Sequence, residues 1–201
     1  MYTTLVRSRI AVSRIYAIGV LFVIVFTTHS FSSESVADIS MEMSGLFLLS
    51  IASLGRLWAL LYISGNKTRE VITAGPYSLV RHPLYLFSLI GALGIGLASE
   101  NLLVLALILL FYAAYYPITI RAEEEKMCRR FGDPYVSYMQ RVPRLIPRFS
   151  TYREPALCQI KTAQFVRNFA DAMWFVWIFI LLHVVESLQT SGIVPVLWRI
   201  P

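Results

Sequence analysis

Gly75-Pro76-Tyr77-Ser78-Leu79-Val80-Arg81-His82-Pro83-Leu84-Tyr85 is a short polar island between two long apolar runs. Pro83 suits the first turn of a helix, because its φ is already fixed and its missing N–H has no partner to lose there. The spacing therefore predicts an apolar helix from Pro83, with Arg81 and His82 just ahead of its N-terminus. Unpaired N–H groups, the positive end of the helix dipole and a permanent guanidinium then share one small volume. Such a place suits a carboxylate or a phosphate. A second polar cluster, Glu123-Glu124-Glu125, lies downstream of the same apolar region.

Outward from this island the chain is too apolar for a soluble domain of its size. Of its 201 residues 57% are hydrophobic and the net charge is +6, and mean hydropathy is +0.62. Cys128 and Cys158 fall in basic segments and imply no disulfide framework. Arg7, Arg9 and Arg14 precede an apolar run without a clean small-x-small cleavage site, which reads as a first membrane anchor.

The expected architecture is all-α: one polytopic domain over residues 1–201 with about five spans. The candidates are Ile15 to Phe31, Leu46 to Ile63, Pro83 to Ala98, Leu102 to Tyr116 and an extra C-terminal run at about 169–188. Pro117 is expected to kink or loosen the fourth. Ile118 to Phe131 reads as a water-facing amphipathic helix closed by Gly132, and Asp133-Pro134 starts a short one. Lys and Arg lie before the first run, between the second and third, and after the fourth. The positive-inside rule puts the N-terminus, the Arg81-His82 loop and the Glu123 segment in the cytoplasm, and the C-terminus opposite if the fifth run spans. Both polar clusters then face one side.

In order, Gly-Pro-Tyr-x-x-x-Arg-His-Pro-x-Tyr at Gly75 to Tyr85 is followed by Glu123-Glu124, Met127, Phe131-Gly132, Tyr135, Tyr138 and Val142 to Pro147. This combination resembles the isoprenylcysteine carboxyl methyltransferase and phospholipid methyltransferase superfamily of integral membrane enzymes. Gly55-Arg56-Leu57-Trp58 is similar to the Leu-Arg-x-Trp of bacterial members. The likeness covers about residues 45–148. It implies a methyltransferase using S-adenosylmethionine at the cytoplasmic membrane surface, with a lipophilic acceptor entering from the lipid. It also implies cofactor contacts from Arg69, Glu70, Val71 and Ile72, from Tyr77, from His82, Pro83, Leu84 and Tyr85, and from Glu123, with Glu124 as second acidic partner. The residue chemistry agrees. A methionyl carboxylate suits Arg81, His82 and the helix N-terminus, ribose hydroxyls and an ammonium suit Glu123 and Glu124, and Tyr77 and Tyr85 can stack on adenine or face the sulfonium. A carboxylate acceptor needs only an orienting arginine, whereas an amine or thiol needs a base such as Glu124 or His82.

Phe87 stands where the family has a small residue, and a ring there would narrow the pocket or redirect the acceptor. Thr119 replaces an arginine that helps hold the acceptor in the prenylcysteine enzymes, with Arg121 two residues later on another helical face. Arg56, inside the second span, is either an acceptor-orienting cation of the catalytic set or a snorkelling one that ties two helices. The arginines from Arg129 to Arg153, with Glu125, read as a solvated face against anionic headgroups. The glycines of the third span read as packing. No metal-ligand cluster or nucleic-acid module is apparent, so membrane and lipophilic acceptor are the expected partners. Two alternatives stand beside the methyltransferase: an NADPH-dependent membrane reductase of sterol-reductase-like fold, and a non-catalytic scaffold or transporter.

Overall fold

Backbone in hydrocarbon has to satisfy its own N–H and C=O groups, and the apolar runs of this chain do so as helices. The computed structural model describes residues 2–29, 36–64, 70–156, 160 and 162–200. In order they form α1 (Tyr2–Phe26), β1 (Thr27–His29), α2 (Val36–Ile63), α3 (Pro76–Leu79), α4 (Pro83–Ala98), α5 (Leu102–Phe131), α6 (Asp133–Arg141), α7 (Thr162–Thr190) and β2 (Trp198–Ile200). A single 3-10 turn lies at Phe149–Thr151. Apart from β1 and β2, which pair in parallel with Thr27 opposite Trp198, the described residues are helical or irregular. The all-α expectation holds.

Among the described residues α2, α5 and α7 are long and apolar enough to cross a membrane, and Ile15–Phe26 and Pro83–Ala98 are shorter apolar helices in the same bundle. At 16 residues α4 is about 24 Å long, less than the roughly 30 Å of hydrocarbon. Many large apolar side chains point outward, including Phe22, Phe47, Leu54, Leu110, Trp174 and Trp177. That is the pattern of a lipid-facing surface.

Several boundaries differ from the sequence expectation. The first apolar helix ends at Phe26 and Thr27–His29 form a short strand where a span to Phe31 was expected, residues 30 and 31 lying outside the described ones. α2 begins at Val36, ahead of the expected Leu46, so Asp38 and Glu42 lie within the helix. α5 runs unbroken through Pro117 for 30 residues, so the fourth span and the water-facing segment are one helix. Proline removes one backbone donor, and the bonds on either side carry the helix on. α7 starts at Thr162, well ahead of the apolar run.

Small residues set the closest helix pair. A Cβ on Gly45 would lie 2.6 Å from the backbone nitrogen of Ala98, and one on Gly94 would lie 2.9 Å from Leu49. α2 and α4 therefore approach at backbone distance, with Leu49, Ala52 and Ala59 buried near the seam. The Phe87 ring occupies the notch beside Gly55, and Phe175 of α7 occupies the one beside Gly91. Phe87 is thus a wedge between α2 and α4 and is absent from the cavity lining, contrary to the expected narrowing of a pocket. The glycines of α4 do pack helices, as expected.

The bundle has two distinct ends. At one, the Asn101 amide donates to Thr27 Oγ1 at 2.9 Å, Gln189 donates to the Val25 carbonyl at 2.9 Å, and the Leu197 amide to that of Phe26. Asn101 also caps α5, accepting from Leu103 and Val104. The other end gathers α3, the start of α4, the polar half of α5, and α6.

Candidate active site

Gly75 begins the site end with φ 59°, and the Tyr62 ring fills the space where a Cβ would stand. Pro76 then opens α3, and Ser78 Oγ donates to the Gly75 carbonyl at 2.6 Å. The irregular stretch after α6 clamps this loop from outside. The Arg81 amide donates to the Pro143 carbonyl, that of Arg148 to Leu79 and that of Gly75 to Arg153. Thr151 Oγ1 adds a bond to the Ser78 carbonyl at 2.7 Å. The Pro- and Arg-rich segment therefore braces the loop that carries Arg81 and His82.

Glu124 is the hub of the wall behind that loop. Its side chain is 8% exposed and accepts from Arg81 Nη1 at 2.9 Å and from His82 Nε2 at 3.2 Å. Arg144 adds a two-pronged contact, Nε to Oε1 at 3.2 Å and Nη2 to Oε2 at 2.6 Å. The hydrogen bond that Arg144 donates to Glu124 holds its guanidinium above the ordinary pKa, outweighing the opposite effect of burial. Arg144 stays on the solvated arginine face, its side chain 46% exposed, while its guanidinium reaches Glu124. A proline-rich motif carries no signal of which arginine makes that contact.

In front of that wall lies a cavity of about 550 Å³, within the usual range for small-molecule sites. Glu70, Val71 and Ile72 line it from the loop, with Tyr77, Arg81, His82, Pro83, Leu84 and Tyr85. Arg56 enters from α2 and Glu123 from α5. Tyr85 Oη donates to Glu123 Oε2 at 2.6 Å, and Tyr112 Oη donates to the Tyr85 carbonyl, fixing the start of α4 against α5. The Tyr77 hydroxyl is buried with no hydrogen-bond partner among the described residues, as is Arg81 Nε. Burial pushes the Tyr77 phenol well above its usual pKa, with Tyr138 and Glu123 adding to the rise, so it stays a neutral donor. Orphaned buried donors in a cavity wall are what a polar ligand would satisfy.

The structure thus brings together eleven of the sequence-predicted site residues. Glu124 lies behind the wall, on a second cavity, and Arg69 falls outside the described residues. Arg56 Nη1 donates to Ser88 Oγ at 2.7 Å, and its guanidinium sits 5.8 Å from the Phe175 ring centre. Sequence reasoning assigned no role to Ile63, Ser88, Tyr116, Met127, Phe131, Tyr135 or Tyr138, which complete the lining. Met127 and Phe131 were legible in principle, at i+4 and i+8 from Glu123 on one helix face. Tyr138 Oη donates to the Tyr77 carbonyl at 2.7 Å, a contact across 61 residues that no local pattern announces. Burial raises the pKa of both Tyr135 and Tyr138, keeping them neutral. Among the described residues no group of three or more His, Cys, Asp or Glu could hold a metal ion.

The profile of the phospholipid methyltransferase family matches residues 16–134, a stretch that holds the loop, α4 and the Glu123 segment. The chain belongs to this family. A protein-S-isoprenylcysteine O-methyltransferase of Schizosaccharomyces pombe is 35% identical over 82 residues, 41% of this chain and 35% of that protein. Two relatives match nearly the whole chain. The nickel-cobalt-cadmium resistance protein NccN of Alcaligenes xylosoxydans xylosoxydans is 33% identical over 98% of this chain and 92% of its own length. The cobalt-zinc-cadmium resistance protein CzcN of Cupriavidus metallidurans is 35% identical over 94% and 87%. No solved structure matches. The family match stops before α7, whereas the resistance proteins extend across it, so the C-terminal helix is a feature shared with them.

Proposed function

We propose that this membrane protein is a methyltransferase that uses S-adenosylmethionine on a lipophilic or membrane-partitioning acceptor, with its site on the cytoplasmic face. The observation that carries this reading is the convergence of Tyr77, His82, Tyr85 and Glu123 on one cavity, from a loop, a helix start and a helix more than thirty residues on. The donors and acceptors there suit the cofactor. Glu123, already holding the Tyr85 hydroxyl, accepts from ribose hydroxyls or the ammonium. Arg81 and the start of α4 take the methionyl carboxylate. Tyr77 supplies a buried hydroxyl and an aromatic face. Glu70, Val71 and Ile72 would close the remaining side.

When bound, S-adenosylmethionine supplies an electrophilic methyl group. What the protein has to add is alignment of the acceptor and exclusion of water. Glu123 accepts from Tyr85, and Glu124 from Arg81 and His82, so both carboxylates are engaged as acceptors. That favours an acceptor needing no proton removed, such as a carboxylate, with Arg56 as the cation that orients it. Glu124 serves as a positioning residue, holding Arg81 and His82 in the cavity wall.

The test is to incubate the full-length protein in lipid vesicles with S-adenosylmethionine labelled in its methyl group and an extract of bacterial membranes. Label should appear in an extractable product, vanish with Glu123→Ala and drop with Arg56→Ala in folded protein. A properly folded wild type that labels nothing across such extracts contradicts the reading. A second reading comes from the names of NccN and CzcN: the methylation serves tolerance of divalent metals. A deletion strain should then become sensitive to cobalt and cadmium, and the wild-type chain, but not Glu123→Ala, should restore growth.

A further inference from the structure

We propose that the groove between the water-facing half of α5 and α6 is a binding site for a phosphate-bearing anion, behind the wall of the first cavity. The groove encloses about 810 Å³. Arg121 and Arg129 reach it from α5, Arg144 from the segment after α6, and Arg81 from the loop before α4. Arg121, Glu125 and Arg129 stand at four-residue steps, so one face of α5 is turned to this groove. Glu123, Met127 and Phe131, also four apart, turn another face to the first cavity. The same helix segment therefore walls two chambers.

Charge decides what the groove would take. Four guanidinium groups meet two carboxylates, a formal balance of +2. Glu124 is shared between Arg81 and Arg144. Glu125 meets Arg129 at 3.5 Å with both side chains exposed, a weak pairing that an anion displaces readily. Guanidinium forks match the oxygen geometry of phosphate esters. Val136 and Met139 of α6 add an apolar flank. Arg121 is the first charged residue of α5, so the groove opens where the apolar stretch of that helix gives way to its polar half, the level at which an anionic headgroup would lie.

The site would also communicate with the first cavity. Arg81 lines both chambers, so an anion that draws Arg81 and Arg144 competes with Glu124 and loosens its hold on His82. The shared chemistry is a phosphate ester or phosphate; an anionic lipid headgroup and a soluble phosphate are its two sources. This inference does not depend on the methyl-transfer reading.

The experiment is calorimetric titration of the full chain in neutral maltoside micelles with three probes: dihexanoylphosphatidylglycerol, dihexanoylphosphatidylcholine and inorganic phosphate. Saturable binding of the glycerol lipid or of phosphate, with the choline lipid silent, is the expected result. Preference for the lipid identifies a headgroup, and equal or tighter binding of phosphate identifies a soluble anion. R121Q combined with R129Q should weaken binding about tenfold, by loss of two exposed, solvent-screened charge contacts, with an unchanged thermal midpoint. Absence of saturation by either anionic probe overturns the proposal. So does equal binding of the choline lipid, or binding by the double variant as tight as wild type.

Discussion

At Glu124 a single carboxylate accepts from Arg81, His82 and Arg144, so three separate stretches of chain meet on one side chain. Glu124→Gln leaves Arg81, only 13% exposed, without its anion. Breaking a buried pair this way costs roughly 3–5 kcal/mol, and about 3 is expected here because Arg144 is 46% exposed and solvent screens it. Thermal or denaturant unfolding in micelles checks this, and Arg144→Gln should lose only about 1 kcal/mol in the same assay. At Tyr85 the change is gentler. Tyr85→Phe removes one hydrogen bond to Glu123 and keeps the ring, so S-adenosylhomocysteine should bind about tenfold more weakly, with a loss of only about 1 kcal/mol of stability. At this scale the sequence pointed to every charged residue of the cavity lining, because Arg, His and Glu beside apolar runs stand out, and passed over Ser88, Tyr116, Tyr135 and Tyr138. It did not reveal that Glu124 faces away from Glu123. Adjacent helical positions diverge by about 100°, and which of two neighbours faces the cavity depends on how α5 is rotated against α4.

Among elements, the α2–α4 seam places Arg56 beside Ser88 and so sets where that guanidinium enters the cavity. The seam closes because Gly94 has no side chain where Leu49 and the Gly45 carbonyl approach. Gly94→Val should force the two helices apart, destabilise the protein by about 1–3 kcal/mol and weaken any acceptor that depends on Arg56. Unfolding midpoint and turnover, measured on the same preparation, check both effects. Helix existence was legible from apolar runs and from Pro83 and Gly132 at their ends, whereas the capping of α5 by Asn101 came from the structure. The continuity of α5 through Pro117 was not. Proline's local penalty is visible in sequence, while the packing of Tyr112 and Tyr116 against Tyr85, which holds that helix in line, is a tertiary fact.

Across the whole molecule, a polar site end stands against a tied far end where α1, the α4–α5 turn and α7 meet. Glu100 lies in that turn, 7% exposed and with φ 52°. Burial, with Asp38 beside it, pushes its carboxyl up to about 8 from an ordinary 4.5. A raised folded-state pKa favours the protonated form. Its contribution to stability is therefore complete below about pH 4.5 and is lost as the pH climbs through about 8. The thermal midpoint of the wild type should fall across that window, and Glu100→Gln should flatten the fall. The basic segments indicated that both polar clusters share one end, and the fold agrees. The far-end ties run between residues as distant as Ile24 and Gln189, beyond the reach of any local pattern. The central claim is that the cavity of Tyr77, His82, Tyr85 and Glu123 holds S-adenosylmethionine. The most direct measurement is calorimetric titration of the detergent-purified chain with S-adenosylhomocysteine, with NADPH and Glu123→Ala in parallel. Saturable binding of S-adenosylhomocysteine that Glu123→Ala abolishes, with NADPH silent, is the predicted result. Binding of NADPH instead, or silence toward both in folded protein, would contradict it.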